Sequence, residues 1–369
     1  MWKHSHPTEV IFGEGMSLEL GNIMAEKGFE RAFMVCDPFT VSCGLADKLA
    51  AAAGGRVVGM YCDIEPNPSV QNVDGAAKAV RESGAKCVIA VGGGSAMDCA
   101  KSASAAASMG IDARAILKKT PIVSALPIIA ISTTAGTGSE VTAVTIISDK
   151  ENDIKDSVSS PVLFPKVAIV DPELTYTCPP KVTAASGIDV LMHALDALSS
   201  VKSTPVTDAL AVKAARMVFK YLPDAYHDGT DKEARNKMST ASVIAGLAFS
   251  LTGTTGSHAC SYHLTSKFGI PHGEACAFTA DAWYRVNAEA RPALNDFAAE
   301  IGFAGADALA DALNGLKREL GLRCTFTEAG IDPAFVPEIA EYTVNASNWG
   351  NNVNRISKER IEDMLRQKI

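Results

Sequence analysis

The sequence lacks any apolar run that could cross a membrane, for which about 20 consecutive apolar residues are needed. Its longest apolar stretch, PIVSALPIIAIS at 121–132, is shorter and contains two prolines. The N-terminal segment MWKHSHPTEVIFGEGM carries no apolar core of the kind found in secretory signals. We therefore expect no membrane association and a cytoplasmic location.

Basic charge is also scarce, because 34 Lys and Arg residues face 42 Asp and Glu residues and the net charge is −8. Nucleic-acid binding needs a basic surface, so this balance argues against a nucleic-acid partner. The nine cysteines contain no Cys-x-x-Cys pair and are odd in number. That pattern favours free thiols in a reducing compartment over a disulfide framework. No Walker loop and no Gly-x-Gly-x-x-Gly sequence occurs.

The first half of the chain alternates between short apolar runs and Ala-rich stretches with helical periodicity. This order is typical of βαβ units on a parallel sheet whose two faces are covered by helices. The five runs that predict strands are 31–36, 55–61, 86–91, 126–132 and 166–171.

The character of the sequence changes at the Pro179-Pro180 pair, after which only helical patterns follow. A length of 369 residues fits two domains at about 150 residues each. We predict an α/β fold with a parallel-sheet domain at 1–180, followed by an all-α domain at 181–369.

A glycine turn follows the predicted strand at 86–91. Three glycines, Gly92 to Gly94, precede Ser95 and a helix that carries Asp98. Glycines allow close approach of the backbone, and the helix N-terminus offers free N–H groups to a pyrophosphate. The alternative is an ordinary tight turn between a strand and a helix. Asp37, at the end of another strand, suits a ribose 2′-hydroxyl and hence NAD rather than NADP, or else caps the turn before Pro38.

A carboxylate and three imidazoles predict a metal site. Asp189 and His193 are four residues apart on a helical stretch and share one face. His258 and His272 follow later in the chain. One carboxylate and three neutral imidazoles suit a divalent first-row ion, Fe²⁺, Zn²⁺, Mn²⁺ or Co²⁺. Taken singly, each histidine also fits a hydrogen-bonded core position.

At this point the sequence resembles the iron-containing, metal-dependent (group III) alcohol dehydrogenase family over its whole length. The resemblance rests on GGGSAMDCAK (92–101), PIIAISTTAGTGSEVT (127–142), SGIDVLMHALDA (186–197) and HACSYHLTSKFGIPHGEA (258–275). It implies two domains with a cleft between them, in the architecture shared with dehydroquinate synthase. It also implies a homodimer formed through a strand at 8–13, and the four metal ligands named above. The cofactor positions, which we assign to NAD(H), are Asp37, Asn67, Gly93, Gly94, Ser95, Asp98, Thr133, Thr134, Thr142 and Lys155.

The sequence departs from the family pattern near the third ligand. Typical members carry a second histidine four residues after it, but this chain has Tyr262 there, followed by His263. The last residue of the signature around His193 is Asp196 rather than Glu. Tyr262 and His263 are therefore our candidate proton-handling groups, with solvent as the alternative.

The segment 258–276 is similar to a branch that reduces small anionic aldehydes, such as sulfoacetaldehyde and phosphonoacetaldehyde. Such a substrate needs a cation, for which Lys267, Arg355 and His263 are candidates, although Lys267 and Arg355 also fit solvated surface charges. The polar side chains Thr254, Thr255 and Asn348 complete the predicted substrate site.

The prediction is thus an enzyme that reduces a small aldehyde with NADH and a divalent metal, for example sulfoacetaldehyde to isethionate. A dehydrogenase of neutral alcohols or diols is the main alternative. Two others are an NAD- and metal-dependent lyase related to dehydroquinate synthase, and a nucleotide-binding sensor without catalysis.

Overall fold

The computed structural model describes residues 2–152 and 154–369. Their contacts divide the chain into two compact units. The sheet unit comprises Ser5–Thr134 and Gly138–Thr175, and the helical unit comprises Tyr176–Ile369 with Ala135–Thr137 and the first residues of the chain. The boundary that we predict between 180 and 181 lies five residues past this division, at the start of the first long helix of the helical unit.

The sheet unit contains a six-stranded parallel sheet and a two-stranded antiparallel hairpin. The large sheet has the strand order β1-β8-β5-β4-β2-β3, and the hairpin pairs β6 with β7. The strands are β1 Glu9–Phe12, β2 Ala32–Cys36, β3 Val57–Tyr61, β4 Cys87–Gly92, β5 Ile128–Ser132, β6 Val144–Asp149, β7 Ile154–Ser159 and β8 Val167–Val170.

Helices cover both faces of the large sheet, as its apolar strands require. Along β4, Val88 and Ala90 pack into the core beneath the longer helices, whereas Ile89 and Val91 pack on the opposite face. The helices of this unit are α1 Leu20–Glu26, α2 Pro38–Ser42, α3 Leu45–Ala52, α4 Val70–Ser83, α5 Gly94–Met109 and α6 Ala113–Leu117. The five strands predicted from apolar runs are confirmed as β2, β3, β4, β5 and β8.

The hairpin of β6 and β7 was not predicted from the sequence. Polar residues interrupt both strands, and β7 reads IKDSVS, which leaves most of its residues partly exposed. Antiparallel strands need only a short turn between them, so such a pair forms where no long apolar run marks it.

The helical unit contains no strand among the residues that the structure describes, as the sequence predicts. Its first helix begins at Pro180, where proline is favoured because the first helical N–H needs no partner. The helices are α7 Pro180–Leu198, α8 Pro205–His227, α9 Lys232–Thr252, α10 Gly256–Phe268, α11 His272–Ala290, α12 Ala293–Ile301, α13 Ala306–Glu319, α14 Phe326–Ala329, α15 Val336–Asn345 and α16 Lys358–Arg366.

Candidate metal and nucleotide sites

The glycine turn of the sheet unit lies at the carboxyl end of β4, next to the end of β2. The chain leaves β2 toward β3 on one side and leaves β4 toward β5 on the other, so a crevice opens between β2 and β4. Ligands of open α/β sheets bind at such a switch point. Gly92 has a φ of 140°, and a Cβ there would lie 2.4 Å from Oδ2 of Asp37. The turn therefore needs glycine at position 92.

Gly93 and the residues after it present backbone N–H groups at the start of α5. Gly93 is the N-cap of this helix and makes no side-chain cap. A Cβ built on Gly93 would meet only Thr134, at 3.5 Å, which is ordinary contact. The fold itself would accept a side chain at position 93, so any demand for glycine there comes from a ligand.

Three of the predicted cofactor residues meet beside this turn. The N–H of Asn67 donates to Oγ of Ser95 at 3.1 Å, and Nζ of Lys155 donates to Oδ1 of Asn67 at 2.8 Å. Asn67 itself has a φ of 56°, a conformation that asparagine tolerates better than most residues. Residues far apart in sequence are thus placed in one polar group.

Two other predicted cofactor residues lie in a buried network instead. Asp98 accepts hydrogen bonds from the N–H of Ile146 and from Oγ of Ser139, both at 3.2 Å. Nζ of Lys101 donates to Ser139 at 2.8 Å and to Oγ1 of Thr142 at 3.2 Å. Burial raises the pKa of Asp98 to about 6 and lowers that of Lys101 to about 8. This network fixes the hairpin and the loop before it to α5.

Sequence reasoning missed Lys101 as a member of this network. It lies on a helix of otherwise small residues, three positions after Asp98. A long cation on such a helix is a detectable signal, because it must find partners when the helix is buried.

Asp37 caps a helix, as its alternative interpretation proposes. Its Oδ1 accepts the N–H of Thr40 at 2.8 Å, at the first turn of α2. Only one oxygen takes part in this cap, and Asp37 remains partly exposed at the end of β2. The cap and a contact to a ribose are therefore compatible.

In the helical unit, α7, α10 and α11 bring a carboxylate and three imidazoles together. Oδ1 of Asp189 lies 3.6 Å from Nε2 of His258, and Oδ2 of Asp189 lies 3.9 Å from Nε2 of His193. The rings of His258 and His272 have their centroids 5.4 Å apart. Four side chains from three helices thus converge on one region.

The approach of α11 to α7 depends on Gly273. A Cβ there would lie 2.0 Å from the carbonyl oxygen of Ala185 and 2.7 Å from Cβ of Asp189. Any larger residue would push the two helices apart. The Pro-His-Gly sequence therefore sets His272 beside Asp189 through the residue that follows the histidine.

The polar atoms of this cluster suit a cation. Oδ1 of Asp189 and Nε2 of His258 are buried and have no hydrogen-bond partner among the described residues. Leaving such atoms unsatisfied costs about 1–3 kcal/mol each, and a metal ion between them would satisfy both. Burial raises the pKa of Asp189, but the neighbouring imidazoles, His193 foremost, lower it below its usual value. The carboxylate is thus ionised at neutral pH.

The histidines of the cluster titrate differently. Burial lowers the pKa of His193 to about 4, so its imidazole is neutral at pH 7, as a metal ligand must be. Burial also lowers the pKa of His258, but Cys276 and Asp196 raise it well above the ordinary value. The negative charge around His258 is the kind that a divalent cation would balance.

Asp196 orients His258. Its Oδ2 accepts Nδ1 of His258 at 2.8 Å and the N–H of Thr255 at 2.7 Å, and its Oδ1 accepts Oγ of Ser257 at 2.8 Å. A carboxylate on one ring nitrogen fixes the tautomer and leaves the other nitrogen to a metal. In the sequence, Asp196 stands out only as a departure from a motif. Its spacing of three residues from His193 on α7 is the signal that marks it.

Cys276 is a second residue that sequence reasoning missed. Together with Asp189, His258 and His272 it forms a group whose ligand atoms all lie within 4.8 Å of one another. Its Sγ is 3.8 Å from both ring nitrogens of His272. The four-residue spacing from His272 would have revealed it.

The side chains of Tyr262 and His263 lie in different surroundings. The ring of Tyr262 lies parallel to that of His272 with centroids 6.3 Å apart. His263 stacks on Tyr342 at 4.0 Å, and its Nε2 is 2.8 Å from Glu338. The structure therefore brings only Tyr262 next to the metal cluster.

Three of the predicted substrate residues meet near the start of α10. Nδ2 of Asn348 donates to Oγ1 of Thr254 at 3.0 Å and to the carbonyl of Thr255 at 3.4 Å. Oδ1 of Asn348 and Oγ1 of Thr255 are buried without a hydrogen-bond partner among the described residues. The backbone N–H of Thr255 also donates to Asp196, the carboxylate that orients His258. This polar group therefore lies next to the metal cluster.

None of the three predicted cations joins this group, and His263 is the one already described beside Glu338. Nζ of Lys267 lies 2.5 Å from Glu338 and 4.1 Å from the ring centroid of Phe335. Arg355 is exposed, which fits its alternative interpretation as a solvated charge.

Models of known protein families match both halves of the chain. The family model "Iron-containing alcohol dehydrogenase" matches residues 7–172, and "Fe-containing alcohol dehydrogenase family, C-terminal" matches residues 183–369. The chain belongs to the iron-containing alcohol dehydrogenase family. This assignment confirms the resemblance and the fold class, and with them the prediction of an oxidoreductase.

Relatives within this family carry different names. The chain is similar to the crystal structure of sulfoacetaldehyde reductase from Bifidobacterium kashiwanohense in complex with NAD⁺, with 40% identity and a TM-score of 0.95, covering 100% of this chain and 98% of that one. It is 31% identical to sulfoacetaldehyde reductase of Bilophila wadsworthia over 98% of this chain and 97% of that protein. Alcohol dehydrogenase 4 of Schizosaccharomyces pombe is 34% identical, over 88% of this chain and 79% of the relative.

Among the described residues, no helix combines the length and the apolar character that crossing a bilayer requires.

Proposed function

We propose that this chain is an NADH-dependent, metal-dependent reductase of a small aldehyde, and that the aldehyde carries an anionic group, as sulfoacetaldehyde does. The observation that supports the metal role is a pair of buried atoms, Oδ1 of Asp189 and Nε2 of His258. They lie 3.6 Å apart and have no hydrogen-bond partner among the described residues. The anionic substrate is supported by the similarity, over the whole chain, to a sulfoacetaldehyde reductase.

Four residues would hold the metal in this proposal, namely Asp189, His193, His258 and His272. Bound there, a divalent cation, Fe²⁺ by family, would supply Lewis acidity toward the carbonyl oxygen of the aldehyde. Asp189 supplies the negative charge, and Asp196 holds His258 in the tautomer that binds. His272 and Tyr262 are only partly buried, in contrast to Asp189 and His258, so they mark the accessible side of the cluster.

The residues of the sheet unit would bind the dinucleotide. The N–H groups at Gly93 and Gly94 would receive the pyrophosphate, and the group of Asn67, Ser95 and Lys155 would flank it. Asp98 and Thr142 would not contact the dinucleotide. They would support its site through the buried network that fixes the hairpin to α5. NADH would supply the hydride when bound. Tyr262, whose ring lies parallel to that of His272, would handle the proton, whereas His263 is held by Glu338.

Thr254, Thr255 and Asn348 would hold the anionic group of the substrate. An amide and two hydroxyl groups offer hydrogen bonds to sulfonate oxygens, and the N-terminus of α10 adds a positive dipole end. Lys267 would not take part, because Glu338 balances its charge.

A dehydrogenase of neutral alcohols is the second candidate. It is favoured by the positions of Lys267 and Arg355, because Lys267 is paired with Glu338 and Arg355 is exposed. The similarity to alcohol dehydrogenase 4 of Schizosaccharomyces pombe is compatible with this second candidate. A lyase related to dehydroquinate synthase is disfavoured, because models of the alcohol dehydrogenase family match both halves of the chain.

The deciding experiment compares initial rates of NADH oxidation by the metal-loaded enzyme with sulfoacetaldehyde and with propanal. We expect kcat/KM to be at least about a hundredfold higher for sulfoacetaldehyde, or about 2.7 kcal/mol of transition-state discrimination. Asn348→Ala should lower kcat/KM for sulfoacetaldehyde much more than for propanal. A substrate ratio near one in the unmodified enzyme would favour the neutral-alcohol candidate.

We further propose a homodimer, through the edge strand β1. This strand pairs with β8 on one side only, and Phe12 at its end and nearby Leu18 are exposed at 38% and 42%. An open edge of this kind can pair with a second copy. Light scattering on the purified protein measures its oligomeric state. Phe12→Lys should shift this state toward the monomer.

A further inference from the structure

Two of the nine cysteines lie at the carboxyl ends of neighbouring parallel strands, and both are free thiols. The register of β2 and β3 pairs Val35 with Tyr61. The next step of this register joins Cys36, the last residue of β2, to Cys62, the first residue after β3. Neighbouring strands lie about 4.8 Å apart. This spacing falls within the range of about 4.4–6.8 Å that separates the Cα atoms of a disulfide.

Both thiols face the same side of the sheet. Successive side chains along a strand alternate between its two faces. Cys36 belongs to the core on the face opposite the longer helices, and Cys62 packs against that same core. Their neighbours Val35 and Tyr61 pack on the other face, as this alternation requires. The two sulfur atoms therefore project in the same direction from neighbouring strand ends.

The two thiols differ in their exposure to solvent. Cys62 is partly exposed, whereas Cys36 is fully buried. Burial raises the pKa of Cys36 to about 11, although a hydrogen bond from Thr40 lowers it, and nearby Cys62 raises it further. The thiolate is the reactive form of cysteine, so buried Cys36 does not react first. A reagent in solution reaches Cys62, and Cys36 is the thiol placed to close a bond with it.

We propose that Cys36 and Cys62 form a reversible disulfide, and that this bond weakens the binding of NADH. The oxidant is a small organic disulfide. Cys62 attacks one of its sulfur atoms, which forms a mixed disulfide and releases one thiol. Cys36 then attacks the sulfur of Cys62, so that the mixed disulfide breaks and the second thiol leaves. The two cysteines lose two electrons and two protons, which the oxidant takes up as it becomes two thiols.

Asp37 connects this bond to the nucleotide site, because it directly follows Cys36. Its main-chain oxygen accepts Oγ1 of Thr40 at 2.7 Å, and its Oδ1 accepts the N–H of Thr40 at 2.8 Å. The carboxylate lies against the glycine turn, since a Cβ on Gly92 would be 2.4 Å from Oδ2 of Asp37. Asp37 thus stands between the cysteine and the turn that ends β4.

The order of the strands gives the direction of the effect. Strand β2 lies between β4 and β3. A disulfide holds its two Cβ atoms about 3.8 Å apart, which is closer than the spacing of about 4.8 Å between strands. The bond therefore draws the end of β2 toward β3 and away from the glycine turn of β4. This effect rests on the proposed function, which takes the crevice between β2 and β4 as the site of NADH.

The test exposes the metal-loaded enzyme to hydroxyethyl disulfide, blocks the remaining thiols by alkylation and maps the peptides by mass spectrometry. We expect one intramolecular bond, between Cys36 and Cys62, that dithiothreitol reverses. Fluorescence titration should give a Kd for NADH about fivefold higher in the oxidised enzyme. Reduction should restore the original Kd.

Two variants separate this bond from other thiol chemistry. Cys62→Ser should abolish the bond and make the Kd for NADH insensitive to the oxidant. Its side chain is partly exposed, so the fold should tolerate the change, and the thermal midpoint checks this. Cys43→Ser removes an exposed thiol at the end of α2 and is the matched control. It should retain both the bond and the change in Kd.

Several results would overturn the inference. One is a peptide map in which Cys62 pairs with Cys43, with another chain or with no cysteine. Another is an unchanged Kd for NADH in the enzyme that carries the mapped bond. Failure of the reduced enzyme to bind NADH would overturn the proposed function and, with it, the effect on NADH. The disulfide itself is judged by the peptide map alone, so the two failures are distinguishable.

Discussion

The candidate nucleotide site and the candidate metal site are built from different parts of the polypeptide. In the sheet unit, Gly92 to Gly94 offer main-chain groups from one continuous turn. In the helical unit, side chains from α7, α10 and α11 converge. A site made of main chain depends on conformation and free space. A site made of side chains depends on the identity of each ligand, so substitutions should affect the two sites differently.

The largest expected effect is loss of a metal ligand. His272→Ala should lower kcat/KM at least about 1,000-fold, because Lewis acidity contributes several kcal/mol to transition-state stabilisation. Bound metal per chain should fall, whereas NADH affinity should be unchanged, since the nucleotide site lies in the other unit. His227→Ala, which removes an exposed histidine, is the matched control. Full activity of a metal-free His272→Ala preparation would contradict the assignment.

A smaller effect is expected when the orienting carboxylate loses its charge. Asp196→Asn should weaken metal binding about 10–100-fold, the usual cost of losing such a partner. Competition with a chelator measures this change, and Asp224→Asn, on the exposed side of α8, serves as the control. An unchanged metal affinity would mean that Asp196 serves only the packing of α10.

The main-chain site should respond to added bulk. Gly93→Ala should weaken NADH binding about tenfold, or about 1.4 kcal/mol, because the methyl group occupies the space of the pyrophosphate. The free energy of unfolding should change by no more than about 0.5 kcal/mol, since the new Cβ meets only Thr134 at 3.5 Å. Metal content should not change. NADH affinity equal to that of the unmodified protein would remove this turn from the proposed cofactor site.

Cofactor choice should shift modestly when Asp37 loses its charge. Asp37→Ser retains a side chain that can cap α2 but removes the repulsion of a 2′-phosphate. We expect the ratio of kcat/KM for NADPH to that for NADH to rise about fivefold, or about 1 kcal/mol. Asp112→Ser, which changes the same kind of cap at α6, should leave the ratio unaltered. A constant ratio in Asp37→Ser would reduce Asp37 to a structural cap.

The smallest effect is expected at Cys276. Asp189 and the three histidines already supply four ligands in the proposed site, so we expect no metal–sulfur bond. Cys276→Ser should retain bound metal within about twofold, a difference of about 0.4 kcal/mol. The cobalt-substituted enzyme should show no intense sulfur-to-metal charge-transfer band. Such a band, lost on Cys276→Ser, would add Cys276 to the ligands.

Much of the fold was accessible from sequence because periodicity reports burial. The apolar strands and the helical patterns after Pro180 were confirmed. The hairpin of β6 and β7 was missed, because its strands carry polar residues whose partners, among them Asp98, Ser102 and Arg114, lie elsewhere in the chain. Local patterns cannot show such partners, which come from other parts of the chain.

The sequence by itself determined which residue types were available for the chemistry, namely one carboxylate with three imidazoles and one glycine turn. Only the tertiary structure decided how they are used. It placed Asp196 on His258, Cys276 beside His272, Tyr262 near the metal cluster and Glu338 on Lys267. The physical reason is that helical periodicity fixes the face on which a side chain lies, whereas its partners depend on how helices cross. Here that crossing is set by close contacts such as Gly273 against α7.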